Sequence, residues 1–291
     1  MKLDKAIRIC LLLVALTAIA SLAVITYYIF REGVPLIARI GLRDFVFSGQ
    51  WRPQEGQFGI GPMIVGSLAV TAGALVIGVV FGLGCAILLT QFCPPRVVSV
   101  VKPSIELLAG IPSVVYGFMG LILLVPFIRQ HVGGPGLSIL AASIVLGIMV
   151  LPTITSISVD ALRAVPPSYR EGSIALGATE WQTTHMVLLK AARSGILAAV
   201  ILGMGRAVGE TMAVIMVAGN MAALPHSILD PVRTLTTNIA LEMSYASDKP
   251  PGYSHQNALF ATGVVLFVII MILNTIAMAM SRRGGLGRKR K

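Results

Sequence analysis

Three ionisable side chains stand in long apolar stretches of this sequence: Glu106, Arg206 and Glu210. Each costs roughly 3 kcal/mol or more at the centre of a membrane-crossing helix, so each is expected to face a partner or a polar path. Arg206 and Glu210 are four residues apart, which on a continuous helix sets them on one face. That spacing admits two chemistries. The pair can neutralise itself and brace a helix bundle. Alternatively, the planar guanidinium fork can hold a tetrahedral oxyanion. The carboxylate would then accept a hydrogen bond from a protonated oxygen of the anion, or re-pair with the guanidinium once the anion leaves. Glu106 lies near the start of its apolar run and is the more peripheral of the three. No nucleophile–base constellation accompanies them. His131, His185, His226 and His255 are scattered without metal-ligand spacing. The sequence therefore offers no catalytic residue and no metal site. It contains no G-x-x-x-x-G-K-[ST] phosphate loop. The glycines from Gly203 to Gly209 follow no strand and read as close helix packing through small residues.

The elements that must position these groups follow from composition. Of 291 residues, 56% are hydrophobic and 12% are charged, against about 25% charged in soluble proteins. A mean hydropathy of +0.86 requires several buried segments of about 20 apolar residues each. Six are expected, at residues 7–30, 63–91, 100–128 (interrupted at Ile111-Pro112), 136–156, 195–221 and 258–280. They are read as helices, because a lone segment in lipid must satisfy its own backbone and none alternates as a barrel strand would. The fold class is thus an all-α polytopic membrane protein with six transmembrane helices. The N-terminus has a basic start and Ala18-Ile19-Ala20, as a signal peptide would. Its apolar run nevertheless continues to Phe30 and closes with Tyr27 and Tyr28, interfacial residues of an uncleaved span.

The net charge of +11 lies between and beyond the apolar runs, where it sets topology. No zinc finger and no aromatic–basic platform suggests nucleic acid. With both termini in the cytoplasm, that side carries roughly twice the Lys and Arg of the other, as the positive-inside rule prefers. The tail Arg288-Lys289-Arg290-Lys291 then locks the orientation and favours anionic membrane lipid. Cys10, Cys85 and Cys93 are odd in number and read as small apolar packing residues. The expected organisation is a first helix and external loop (1–62), a transmembrane domain (63–283) with a cytoplasmic loop at 157–194, and a basic tail (284–291).

The cytoplasmic loop is the most informative stretch outside the spans. Pro166-Pro167 ends one helix. Ser168 is a candidate N-cap with Glu171 three residues on, and Gly177 can take the left-handed conformation that stops a helix. Ala178 and Thr179 turn the chain, and a second helix starts near Glu180-Trp181. Two short helices about a Gly hinge make a knob that suits a groove in a partner. Within the third run, Ile111-Pro112-Ser113 frees backbone groups that can line a path. Outside, Asp230-Pro231-Val232-Arg233-Thr234-Leu235 precedes a helix-like run to Tyr245.

Glu171-Gly172-Ser173, three residues, Gly177, nine residues and Val187-Leu188-Leu189 resembles the Glu-Ala-Ala-x3-Gly-x9-Ile-x-Leu-Pro loop of ABC-transporter permeases. Gly172-Ser173 replaces Ala-Ala, Val187 replaces Ile, and Lys190 stands where Pro is usual. The resemblance implies a type I, MetI-like importer permease whose coupling helix, with Glu171, Gly177, Ala178 and Thr179, docks on an ATPase. Residues 205–213, 109–117 and 230–236 look like motifs of phosphate-importer permeases, and the likeness runs from about residue 58 to 283. The long first external loop, 230–235 and Ala258-Leu259-Phe260-Ala261 look more like the C-type sister than the A-type. This implies an inner-membrane heterodimer with a sister permease, two ATPase subunits and an external phosphate-binding protein. ATP and magnesium would be used by the ATPase, with no cofactor in this chain. Phosphate would pass Arg206, with Glu210 as its neighbour and the Pro112-Ser113 break beside the path. Alternatives are a permease for molybdate or sulfate, a proton-driven transporter relaying through Glu106 and Glu210, and a membrane scaffold or phosphate sensor.

Overall fold

A computed structural model describes residues 2–246 and 254–285. Lys249 and the tail from Arg288 lie outside the described residues. Six helices among the described residues are long and apolar enough to cross a membrane: Ile7–Ile40, Gly61–Phe92, Ser113–His131, Ile139–Arg163, Glu180–Gly209 and His255–Ala279. Helix α1 (Lys2–Ile40) is followed by α2 (Leu42–Phe47) and a short hairpin of β1 (Trp51–Arg52) with β2 (Gln57–Phe58), paired antiparallel. Next come α3 (Gly61–Ile87), which ends in a π-turn, α4 (Pro95–Ala109), α5 (Ser113–Met119) and α6 (Val125–His131). Then α7 (Ile139–Arg163) crosses, α8 (Pro167–Ala175) lies in the loop after it, and α9 (Glu180–Gln182) leads through a π-turn into α10 (Leu189–Gly209). The chain closes with α11 (Met212–Val217), α12 (Leu235–Glu242) and α13 (His255–Gly285).

Helix α7 is the axis of the bundle. In its most apolar stretch 67% of residues are buried, against none in α1. Lipid gives helices no hydrophobic drive to associate, so small residues and interhelical hydrogen bonds do that work. Gly78 and Gly82 of α3 form a G-x-x-x-G step against α7. A Cβ on Gly78 would sit 2.6 Å from Val150, and one on Gly147 would sit 2.8 Å from Ile77. Buried hydroxyls add to this seam: Ser143 donates to the Val70 carbonyl at 3.3 Å and Thr155 to the Gly82 carbonyl at 3.2 Å. Helix α1 rides outside on α13. Gly33 brings the two backbones together, flanked by edge-to-face pairs Tyr28–Phe260 and Phe30–Phe267. A second apolar core joins α1, α2, the hairpin, α3, α12 and α13 through Leu36, Phe45, Trp51, Ile60, Leu235 and Leu259.

Two of the expected spans are corrected. The third does not run from residue 100. Residues 95–109 form the separate, charged helix α4, the chain breaks at Gly110–Pro112, and the crossing segment starts at Ser113. Pro112 has no N–H to continue a helix and pushes Ile111 out of the helical region. The fifth starts earlier, at Glu180, and stops at Gly209, short of residue 221. Helices 1, 4 and 6 also outrun their apolar windows, because a helix can continue into water with polar residues that hydropathy does not count.

A Gly147→Leu substitution forces a branched side chain onto Ile77. It is expected to destabilise the α3–α7 seam by about 1–3 kcal/mol, read as a lower thermal midpoint of the detergent-purified protein. Gly84→Ala, with nothing near its added Cβ, should leave that midpoint unchanged or slightly raised.

Candidate functional site

Arg206 lies in the last turn of α10, and Glu210 is the residue at which that helix ends, with extended backbone (φ −72°, ψ 129°). Helix α11 restarts at Met212. The two side chains therefore do not share a helical face, and no ion pair joins them among the described residues. The four-residue spacing rule needs a continuous helix, and the break at Gly209–Thr211 removes it. The Glu210 carboxylate instead accepts from the Ala213 N–H at 3.3 Å, one of the amides freed at the start of α11. Its carbonyl accepts from the Thr236 hydroxyl at 3.2 Å.

Arg206 is half-buried. Among the described residues its side chain makes one hydrogen bond, Nη1 to Thr153 Oγ1 of α7 at 3.4 Å. A guanidinium carries five donors, so most of this one's capacity is unused. Tyr116 of α5 lies within electrostatic range of it, and the Tyr116 hydroxyl donates to the Leu108 carbonyl at 2.7 Å across the α4–α5 break. Gly117 of α5 abuts Ala213 of α11, where a Cβ would come within 2.8 Å of the Ala213 backbone. The fold thus packs α5, which starts after the Pro112 break, against α11, which starts after the Glu210 break. Glu106 is not in this group. It sits half-exposed on α4, where Lys102 reaches it at 3.8 Å and Asp160 at 3.6 Å. Its apolar neighbourhood in the sequence belongs to a helix outside the six spans.

In the loop after α7, α8 begins at Pro167 with Pro166 as its N-cap and no side-chain cap bond. The expected Ser168–Glu171 capping box does not form. Proline suits the first helical position because its missing N–H would have been unpaired there anyway, which sets the start two residues earlier. Glu171 is exposed. Gly177 takes φ +86° as expected, and the Ala178 N–H reaches back to the Ser173 carbonyl at 3.2 Å. Thr179 caps the next helix: its hydroxyl accepts from the Gln182 N–H, and the Gln182 side chain accepts from the Thr179 N–H at 2.9 Å. That helix is not a short, free one. It continues through Thr183–Leu188 into α10, so the loop and Arg206 share one rod. Helix α8 is tied to the rod by Arg170 on both oxygens of Glu180 at 2.8 Å and by Ser173–Thr183 at 2.9 Å. Its tip presents bare apolar surface, with Leu176 90% exposed beside Ile174 and Trp181.

A fourth group joins residues from distant parts of the chain. Glu242 of α12 accepts from Trp51 Nε1 at 2.8 Å and from Arg233 Nη1 at 2.5 Å, and contacts His255 Nε2 at 2.7 Å. These residues span two hundred positions and follow no local pattern. Nearby, Asp230 accepts from the His226 and Ser227 N–H groups at 2.8 and 2.9 Å. These donors favour its charged form and hold its carboxyl below the usual aspartate value. The turn's contribution is therefore in place at neutral pH and is lost only as pH falls through that lowered value.

Residues 78–284 match the family of binding-protein-dependent transport system inner membrane components. The chain is 44% identical over 274 residues to the probable ABC transporter permease protein YqgH of Bacillus subtilis, covering 92% of this chain and 88% of that one. It is 36% identical over 260 residues to the phosphate transport system permease protein PstC of Mesorhizobium japonicum, covering 82% and 78%. Among solved structures, a permease chain of the bacterial alginate importer superposes with a TM-score of 0.63 at 17% identity, covering 97% of this chain and 99% of that one. A chain of the MetNI methionine transporter superposes at 0.58 and 23% identity, covering 75% and 93%. These structures share the fold of this chain over the parts they cover.

Removing the Thr179 hydroxyl should loosen the start of the rod. Thr179→Ala is expected to cost about 1 kcal/mol locally, read as roughly fivefold faster amide exchange at residues 180–184 with exchange in α7 unchanged.

Proposed function

The chain belongs to the family of binding-protein-dependent transport inner membrane components, and on that premise we propose that it is the permease subunit of an ATP-driven phosphate importer. It is a multi-pass inner-membrane protein, and such permeases work with an external substrate-binding protein and an ATP-hydrolysing partner. The finer reading is ours. Both termini face the cytoplasm. The second half of the path comes from a sister permease, with this chain as the C-type partner. Two ATPase subunits use ATP and magnesium, and the chain itself catalyses nothing and carries no cofactor. Phosphate as cargo draws on the likeness to permeases named for phosphate transport.

The observation that carries this reading is the Arg206 guanidinium, held inside the bundle with a single long hydrogen bond. A planar donor fork that the protein leaves nearly unused, at the meeting of two broken helices, suits a tetrahedral oxyanion arriving with its own acceptors. Glu210 then acts as a cap that fixes the break, and Pro112-Ser113 keep α5 short of it. Motion at the ATPase enters through α8 around Glu171, Gly177, Ala178 and Thr179, and the Arg170 and Ser173 ties pass it to the rod that carries Arg206. A proton relay draws little support, since Glu106 is exposed and paired with Lys102 and the Glu210 carboxylate is engaged with the α11 backbone.

The test is labelled-phosphate uptake in cells deleted for this chain and for any other phosphate importer. Uptake should disappear in the deletion and return with the gene, and excess unlabelled sulfate or molybdate should not compete. Undiminished uptake in the deletion, or competition by molybdate, overturns the assignment. Glu171→Ala or Gly177→Val should lower ATP-coupled uptake about tenfold, equivalent to about 1.4 kcal/mol, with the complex still assembled. Unchanged uptake argues against coupling through α8.

A further inference from the structure

Arg206 and α8 leave the external charge cluster around Glu242 without a role. Its placement supplies one. Residues 231–242 lie as a plug over the outer side of the α10–α11 break. Thr236 bonds the Glu210 carbonyl at the break itself. The Leu235 N–H donates to Ser67 of α3 at 2.9 Å, and the Val232 N–H to the Ala218 carbonyl after α11 at 2.9 Å. Gly66 of α3 lies so close to the Arg233 carbonyl that a Cβ there would come within 2.7 Å. Val232, Leu235, Thr237 and Asn238 are fully buried.

A carboxylate at the plug's own end ties it to the surrounding elements. The Glu242 side chain is 8% exposed, and its two oxygens serve donors from three separate elements: Arg233 at the head of the plug, Trp51 in the external hairpin and His255 at the start of α13. Arg233 also reaches Asn220 and Asn238, donating from Nε to the Asn220 carbonyl at 3.0 Å and from Nη1 to Asn238 Oδ1 at 3.1 Å. A carboxylate with several buried donors is costly to strip of any of them, so it makes a firm clasp.

The seat beneath the clasp is imperfect. Asn220 is the one non-glycine residue with positive φ among the described residues, at +55°. Asn220 Oδ1 and Asn238 Nδ2 are buried without partners among the described residues. Orphaned buried polar atoms cost about 1–3 kcal/mol each. A second arrangement in which those atoms gain partners would recover that cost, and a two-state element of this kind is how packed proteins switch.

We propose that Glu242 is the latch of an outer gate: its carboxylate, gripped by Arg233, Trp51 and His255, keeps residues 231–242 seated over the span-five break, and the grip is released when the path opens outward. Glu242 is a positioning residue. It is the last residue of the plug, which it ties to the hairpin through Trp51 and to α13 through His255, and the plug meets the path through Thr236. The inference rests on the permease reading but is tested without any substrate, so the two can fail separately.

The experiment uses the assembled transporter in membrane vesicles, with Cys10, Cys85 and Cys93 replaced by serine and Val232→Cys as reporter on the plug. A membrane-impermeant maleimide is added from the external side without nucleotide. Labelling of the reporter should be slow with Glu242 intact and about tenfold faster with Glu242→Gln, which keeps the shape but loses the charge. Trp51→Phe, which removes a single donor, should give a smaller rise. A second reporter, Thr262→Cys, buried on α13, separates gate opening from general loosening and should stay slow in every variant. Equal Val232→Cys labelling with and without the Glu242 charge overturns the latch, as does a parallel rise at Thr262→Cys. Should Glu242→Gln fail to assemble, Trp51→Phe and His255→Gln decide the question by the same two rates, and no rise at Val232→Cys in both rejects the proposal.

Discussion

A helix broken inside a membrane must find partners for the backbone groups it frees, since lipid supplies none. The break between Gly209 and Met212 imposes that requirement at the centre of this molecule, and much of the fold answers it. Glu210 turns its carboxylate onto the backbone of α11. Thr236 descends from the external segment to bond the Glu210 carbonyl. Helix α5, itself short because of Pro112, packs its Gly117 against the restarted helix. With Glu210 committed to the backbone, no acidic side chain pairs with Arg206 among the described residues. On the proposed reading, the same break that engages one side chain locally leaves the other to a ligand.

That arrangement connects both ends of the molecule to the site. The rod from Glu180 to Gly209 is continuous and joins the α8 knob to Arg206. Residues 231–242 rest on the break and are tied to the hairpin and α13 through Glu242. The contacts with α8 therefore sit at the Glu180 end of span five, and Arg206 and the contact with Thr236 at its other end. Helix α7 provides the fixed frame, through the glycine seam with α3 and the buried Ser143 and Thr155 bonds.

How much of this the sequence made legible depends on how local the determining chemistry is. The six apolar segments, the stop at Pro112 and the left-handed Gly177 each follow from a few adjacent residues, and each is found in the structure. Helix lengths were underestimated wherever a helix leaves lipid and continues with polar residues, as α7 does to Arg163. The α8 start moved because proline at the first helical position competes with the Ser168 cap. The Glu210 break was hidden because no proline marks it: the helix ends there with help from Thr236, 26 residues on. Glu106 was placed in a span because hydropathy averages over α4 and the segment beyond Pro112. The Trp51–Arg233–Glu242–His255 cluster could not be read at all, since only the fold brings a hairpin, a loop and two helices together.

The account turns on whether Arg206 serves the transported anion or the bundle. The most direct measurement is labelled-phosphate uptake with Arg206→Ala at matched membrane levels, alongside co-purification of the partner subunits. The account predicts that uptake is lost while the complex still assembles, because the single long bond to Thr153 contributes little to stability. Uptake that survives the substitution, or a complex that falls apart with it, would contradict the account and return Arg206 to a structural role.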